Sequence, residues 1–247
     1  MINPNAKYPE MIIFDYGHTL LYEPDWDSHR GNNELFKYIT KNPNNITVED
    51  YEEAVKRVFG KSLKIRENEN CDILASTCHR VIDELLGIEF SLSDPEREMV
   101  FWKAASNGAA MSGAGEMLDY LNENGIRTAV ISNLSWSGKA LEERFSRLLP
   151  NNKFEFVMTS SDYLFRKSDS ILFEIALKKA GISAEKVWYC GDSIRADIYG
   201  AHDAGIFPVL YESEIPAETN NNGLTVDFDY LHIHHWKELI EIIEELK

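Results

Sequence analysis

Residues 11–21 read Met-Ile-Ile-Phe-Asp-Tyr-Gly-His-Thr-Leu-Leu, and no other stretch restricts the fold as much. Four apolar residues in a row, two of them isoleucine, describe a short strand buried on both faces, as in a parallel sheet covered by helices. The run stops at Asp15, and Gly17 lets the backbone bend sharply just beyond it. In an open parallel sheet, ligands gather outside the carboxyl ends of the strands, so Asp15 is predicted to stand where a substrate arrives. Taken alone, an acid after an apolar run is more simply a cap for the segment that follows.

Three later stretches change that reading. Residues 126–133, Ile-Arg-Thr-Ala-Val-Ile-Ser-Asn, form a second apolar strand that ends in Ser132 and Asn133. Arg166-Lys167-Ser168-Asp169 sets a lysine just before a strongly periodic helix pattern. Residues 187–205 give a third strand, then Gly191-Asp192-Ser193, with Asp197 five residues after Asp192. Asp, Ser, Lys and a pair of Asp, in that order at strand ends, resemble the four-motif signature of the haloacid dehalogenase-like hydrolase superfamily. Any one motif is weak; four in order, with an insertion after the first, run along most of the chain.

From residue 113 onward, strand and helix patterns alternate, which predicts a parallel sheet. Helices are expected over 115–124, 138–148, 170–180 and 195–204, and strands over 128–131, 154–158, 187–190 and 206–210. A last short strand and an acidic amphipathic helix fall within 226–247. The expected fold class is α/β, a doubly wound parallel sheet of Rossmann type. Between 27 and 106 the texture is helical throughout, with no alternation of strand length. One helix is expected over 28–41 and another from Thr47, with Asp50 completing its cap; a third runs over 71–86, and a fourth opens at Asp94-Pro95. A core domain of 1–24 and 107–247 would therefore carry a helical cap domain at 25–106, since a loop of that length without its own fold is rare. By the resemblance, a cap at this place closes over the site and selects the substrate. Residues 1–10 read as a polar lead-in.

The 247 residues suit one such domain with an insertion, and a net charge of −16 argues against nucleic acid, which needs a basic surface to displace counterions. No segment is apolar for long enough to span a bilayer, and the first residues lack the layout of a signal peptide. Cys71, Cys78 and Cys190 are spaced for no evident zinc site. A cytoplasmic protein acting on a small phosphorylated molecule, with no nucleic-acid or membrane partner, is the expectation.

The resemblance implies chemistry residue by residue. Asp15 becomes the nucleophile that forms an aspartyl-phosphate. Mg²⁺ takes a carboxylate oxygen of Asp15, the Gly17 main-chain carbonyl and Asp192, with Ser193 and Asp197 acting from behind. Ser132, Asn133 and Lys167 hold the phosphoryl oxygens, and Asp197 helps to place Lys167. Outside this constellation, Ser132 reads as a helix cap and Lys167 as a surface lysine.

One position departs from the family pattern. Phosphatases of the family carry a second aspartate two residues after the nucleophile as general acid, a group that typically contributes ~10²–10⁴ in rate; here it is Gly17. His18 is the nearest substitute, ahead of Glu23, Asp25 and His29. Relatives that cleave phosphonates also lack this aspartate but need an imine-forming cap lysine, for which Lys37, Lys56, Lys61 and Lys64 are available. Dehalogenases have tyrosine there and lack the Gly-Asp metal motif. A phosphate binder with poor turnover is the remaining alternative. His232-Ile233-His234-His235 reads as a run of surface histidines, the Cys71/Cys78-His79 group as helix packing, and Trp26, Trp102 and Trp136 as core or hinge residues, with Trp26 near enough to strand one to touch substrate.

Overall fold

The computed structural model describes residues 6–215 and 221–247, so the expected lead-in at 1–10 lies outside the described residues over 1–5. The chain opens with β1 (Met11–Phe14) and β2 (Leu21–Tyr22), then enters an insert: α1 (Ser28–Phe36), β3 (Ile39–Lys41), α2 (Val48–Glu69), α3 (Ala75–Leu86), β4 (Glu89–Phe90) and α4 (Asp94–Ala105). It returns through β5 (Ala109–Ala110), α5 (Ala114–Glu123), β6 (Arg127–Ser132), α6 (Gly138–Leu148), β7 (Phe154–Thr159), α7 (Ser160–Tyr163) and α8 (Ser170–Ala180). Then come β8 (Val187–Gly191), a π-helical segment Ile194–Tyr199, α9 (Gly200–Asp203), β9 (Phe207–Tyr211), β10 (Leu231–Ile233) and α10 (Trp236–Glu245).

Six strands form one parallel sheet in the order β10-β9-β8-β1-β6-β7, the doubly wound α/β arrangement expected. The first strand is central, and the chain winds to one side through β6 and to the other through β8. That reversal makes the carboxyl end of β1 the topological switch point, where such sheets hold ligands. Register fixes what meets there: Phe14 lies level with Val130 on β6 and Cys190 on β8. Asp15, Ser132 and Asp192 therefore emerge together, one or two residues past those partners.

Alternation along β1 feeds two cores. Met11 and Ile13 pack among Leu172, Phe173 and Ala176 of α8, whereas Ile12 and Phe14 pack among Met117, Leu118 and Trp236 on the opposite face. All four strand residues are fully buried, with Phe14 edge-on to Trp236 at a ring separation of 5.7 Å.

The insert departs from the all-helical expectation in two places, at residues 71–74, which lie ahead of α3 instead of within it, and after its first helix. Its first helix stops at Phe36, and Ile39–Lys41 pairs antiparallel with Glu89–Phe90. The β-branched pair Ile39-Thr40 suits extended backbone, and a partner strand distant in sequence decided the matter. The second helix opens with the expected reciprocal cap between Thr47 and Asp50. Helices α1 and α4 approach closely because Gly31 has no side chain; a Cβ there would lie 2.8 Å from the Phe101 ring. Arg97, 4% exposed, braces the interior by bonding Asp83 and the Tyr51 hydroxyl over the face of Phe90.

Two seams join insert and sheet. The chain leaves and returns side by side, because β2 and β5 pair antiparallel. Further on, residues 70–75 are stitched to the loops that follow β6 and precede α8. Asp72 N–H donates to the Leu164 carbonyl at 2.7 Å, Arg166 N–H to Asn70 at 3.2 Å, and Ala75 N–H to Ser135 at 2.8 Å. The Asp72 side chain is 1% exposed and accepts from Arg66, Arg166 and Ser160. Removing that carboxylate leaves two arginines facing each other. Asp72→Ala is expected to cost about 3 kcal/mol, the low end for a broken buried pair because both arginines retain some access to water. Urea denaturation checks this; a loss under ~0.5 kcal/mol would show that the seam is not held by charge.

Candidate active site

Asp15 ends β1 and is 7% exposed. Its main-chain N–H donates to the Cys190 carbonyl at 2.8 Å, which holds the turn against β8. Lys167, 4% exposed, reaches it from the loop before α8. The Nζ group lies 2.6 Å from Asp15 Oδ1, 2.7 Å from Asp197 Oδ1, 2.7 Å from the Tyr189 hydroxyl and 3.1 Å from the Ile131 carbonyl. Burial works against the charged lysine, but Asp15 and Asp197 outweigh it and hold its pKa above the ordinary value. Tyr189 accepts from Lys167 and donates to the Ile131 carbonyl at 2.8 Å; burial pushes its phenol pKa well up.

Asp197 owes its inward position to local backbone form. The Ser193 hydroxyl accepts from Ala196 N–H, and Asp197 Oδ2 accepts from Ser193 N–H at 2.9 Å. The intervening turn is π-helical, a form that often marks functional sites, and not the plain helix expected over 195–204. Gly191 makes room for it, since a Cβ there would stand 2.3 Å from the Asp197 carboxyl carbon. Burial raises the Asp197 pKa, with Lys167 pulling the other way. Asp192 is 7% exposed, and its carbonyl accepts from the Asn221 side chain at 2.8 Å.

Asp15, Asp192 and Asp197 bring carboxylate oxygens within 4.8 Å of one another. The three carboxylates make an all-oxygen donor set, and such a set suits a hard divalent cation. The residues fit such an ion.

The site opens into a cavity of about 600 Å³, lined by Asp15, Gly17, His18, Ser132, Asn133, Lys167, Asp192, Ser193 and Asp197. The residues of the four strand-end motifs and His18 therefore face one space. Asn133 engages Lys167 through both amide atoms, accepting from its N–H and donating to its carbonyl, each at 2.8 Å. His18 is in the left-handed region with φ 53°, and its Nδ1 is buried without a hydrogen-bond partner. Among the other acids considered, Glu23 lines the cavity but is held by Tyr16, Trp102 and Arg144. Asp25 bonds Ser106 and Arg30, His29 pairs with Glu52, and neither lines the cavity. No lysine of the insert lines it either, among the described residues.

The outer walls add two arginines and three tryptophans. Arg66 and Arg166 line one side, both tied to Asp72. Trp102 and Trp136 stack at 5.8 Å, and Trp26, 48% exposed, stands edge-on to Phe101. All three tryptophans line the cavity, Trp26 among them as its place near β1 suggested. Tyr189 had only a faint signal, a hydroxyl within an otherwise apolar strand. Asp72 had none.

Known proteins resemble this chain in sequence and in fold. The chain is 27% identical over 215 residues to a pyrimidine 5'-nucleotidase of Streptococcus pneumoniae, covering 82% of this chain and 83% of that one. In fold it is similar to a 2-haloacid dehalogenase from Pseudomonas syringae pv. Tomato, with a TM-score of 0.59 at 20% identity, covering 97% of this chain and 100% of that one. It is likewise similar to a HAD phosphatase from Thermococcus onnurineus, with a TM-score of 0.58 at 19% identity over 94% and 97% of the two chains. A sequence model described as haloacid dehalogenase-like hydrolase matches residues 12–210, from the first strand to the fifth of the sheet, and the chain belongs to that family.

Proposed function

We propose that this hydrolase is a Mg²⁺-dependent phosphatase acting on a small phosphorylated metabolite through an aspartyl-phosphate on Asp15. The observation that carries the reading is the 2.6 Å contact between Lys167 and Asp15 inside a group of carboxylates at the strand ends. One oxygen of Asp15 attacks phosphorus, the bond from phosphorus to the leaving alkoxide breaks, and an acid gives that alkoxide its proton. Water then attacks the phosphorus of the acyl phosphate, losing a proton to a base, and inorganic phosphate departs with Asp15 restored. Asp15, the Gly17 carbonyl and Asp192 would hold Mg²⁺, which would supply neutralising charge to the phosphoryl oxygens. Ser132 donates its hydroxyl to those oxygens and Lys167 adds positive charge. Asn133 fixes the Lys167 main chain, and Asp197 fixes its ammonium.

Residues 25–106 act as the cap over a core of 1–24 and 107–247, and Trp26 and Arg66 reach from that cap into the cavity. Aromatic walls beside a phosphoryl site, together with the nucleotidase relative, put nucleoside monophosphates first among substrates to try. Three free thiols accord with a reducing cytoplasm.

With Gly17 lacking a carboxyl, His18 is the candidate acid, since it lines the cavity with an unpartnered ring nitrogen. Gly17 also favours a second reading, a phosphate binder that turns over poorly. Phosphonate cleavage loses ground, because Lys37, Lys56, Lys61 and Lys64 all stand away from the cavity wall.

Phosphate release from p-nitrophenyl phosphate and a panel of nucleoside monophosphates decides between the first two. Activity should vanish with EDTA, return with Mg²⁺, and be lost in Asp15→Asn. Phosphate binding without release from any ester would leave only the binder. The acid is tested by leaving group. His18→Ala should lower kcat by ~10²-fold or more on alkyl esters and leave aryl phosphate, whose phenoxide leaving group needs little protonation, almost unchanged. A Cβ at Gly17 meets nothing within 4 Å, so Gly17→Asp fits, and added to His18→Ala it should restore most of the kcat lost on alkyl esters. No change in either variant would remove proton donation from this corner of the site.

A further inference from the structure

The histidine run near the end of the chain is better organised than its surface position suggests. His232 on the edge strand β10 and His234 just past its end are both exposed, while Ile233 between them is fully buried and anchors the strand. Glu212 follows the neighbouring strand β9, and its N–H donates to the Ile233 carbonyl at 2.9 Å. The two strands thus hold His232, His234 and Glu212 on one exposed face. The imidazole rings of His232 and His234 are 4.7 Å apart, and a ligand atom from each of the three residues lies within 4.8 Å of the others.

A second observation concerns which ring nitrogen is available. Nδ1 of His234 is 2.8 Å from the Glu212 main-chain carbonyl, which can only accept. Nδ1 therefore donates to it, which leaves Nε2 as the ring nitrogen open to a ligand, the arrangement by which metal-binding histidines are oriented. Nε2 of His232 faces Glu212 Oε2 at 2.8 Å, two donor atoms already converged. Ligands bound at ~2.1 Å around one tetrahedral ion stand about 3.4 Å apart, against separations of at most 4.8 Å here. His235 is spent elsewhere, capping α10 reciprocally with Glu238.

We propose that His232, His234 and Glu212 form a binding site for a late first-row divalent cation, Zn²⁺ above all, separate from the carboxylate group around Asp15. Two imidazoles and one carboxylate select zinc, nickel or copper over magnesium, whereas the all-oxygen group prefers the harder ion. The chain sorts two classes of metal by ligand chemistry. Three protein ligands leave a fourth position for water or a donor from elsewhere.

Equilibrium dialysis of the untagged full chain against Zn²⁺, with Mg²⁺ in large excess to occupy the carboxylate group, tests this. Wild type should retain one equivalent of Zn²⁺, and Asp192→Asn should retain it too. His232→Ala/His234→Ala should lose it, and Glu212→Gln should weaken it by at least ~10-fold. Co²⁺ in place of Zn²⁺ should give wild type a visible d–d absorption that the double variant lacks. Equal retention by wild type and the double variant would overturn the site. So would loss of the bound Zn²⁺ in Asp192→Asn, which would assign it to the carboxylate group.

Discussion

Lys167 carries its ammonium to a place that water hardly reaches, and only the anions around it make that tolerable. Asp15 and Asp197 supply the charge; Tyr189 and the Ile131 carbonyl take up the remaining donor capacity. Each of these comes from a different part of the fold: the end of β1, the π-helical turn, β8 and β6. The cluster exists because three adjacent parallel strands end level with one another. It also brings Asp192 into the same group, so that three carboxylates offer oxygens within 4.8 Å of one another.

The insert is tied to the same group through a short path. Residues 70–75 lie along the segment that ends at Arg166, and the next residue is Lys167. Asp72 holds an arginine from each side of the seam. A movement of the insert would therefore be felt first by the backbone that presents Lys167, with Asn133 clamping it from the sheet side. Both arginines face the cavity as well, so the seam and the substrate space share a wall.

Much of this was readable from residue order, and the reasons are local. The run 11–14 could only be a doubly buried strand, the Thr47–Asp50 cap is a contact three residues long, and the strand-end motifs carry their chemistry in their own side chains. What escaped depends on partners far along the chain. Ile39–Lys41 has a strand partner some fifty residues away, and the residues before it gave a helical pattern that overran the true end at Phe36. Asp72 looks like any loop acid until Arg66 and Arg166 close on it. Tyr189 is one more aromatic in an apolar strand until Lys167 arrives beneath its hydroxyl. The π-helical turn follows from Asp197 packing onto Gly191, a contact that helix periodicity does not encode.

The claim at the centre is that Asp15 becomes covalently phosphorylated. Quenching turnover and reducing the protein with tritiated borohydride tests it directly, because reduction of an aspartyl-phosphate converts that residue to homoserine. The expected result is label in the single peptide that contains residue 15, dependent on substrate and absent when the metal is chelated. Steady release of phosphate with label at another residue, or with none, would contradict the account.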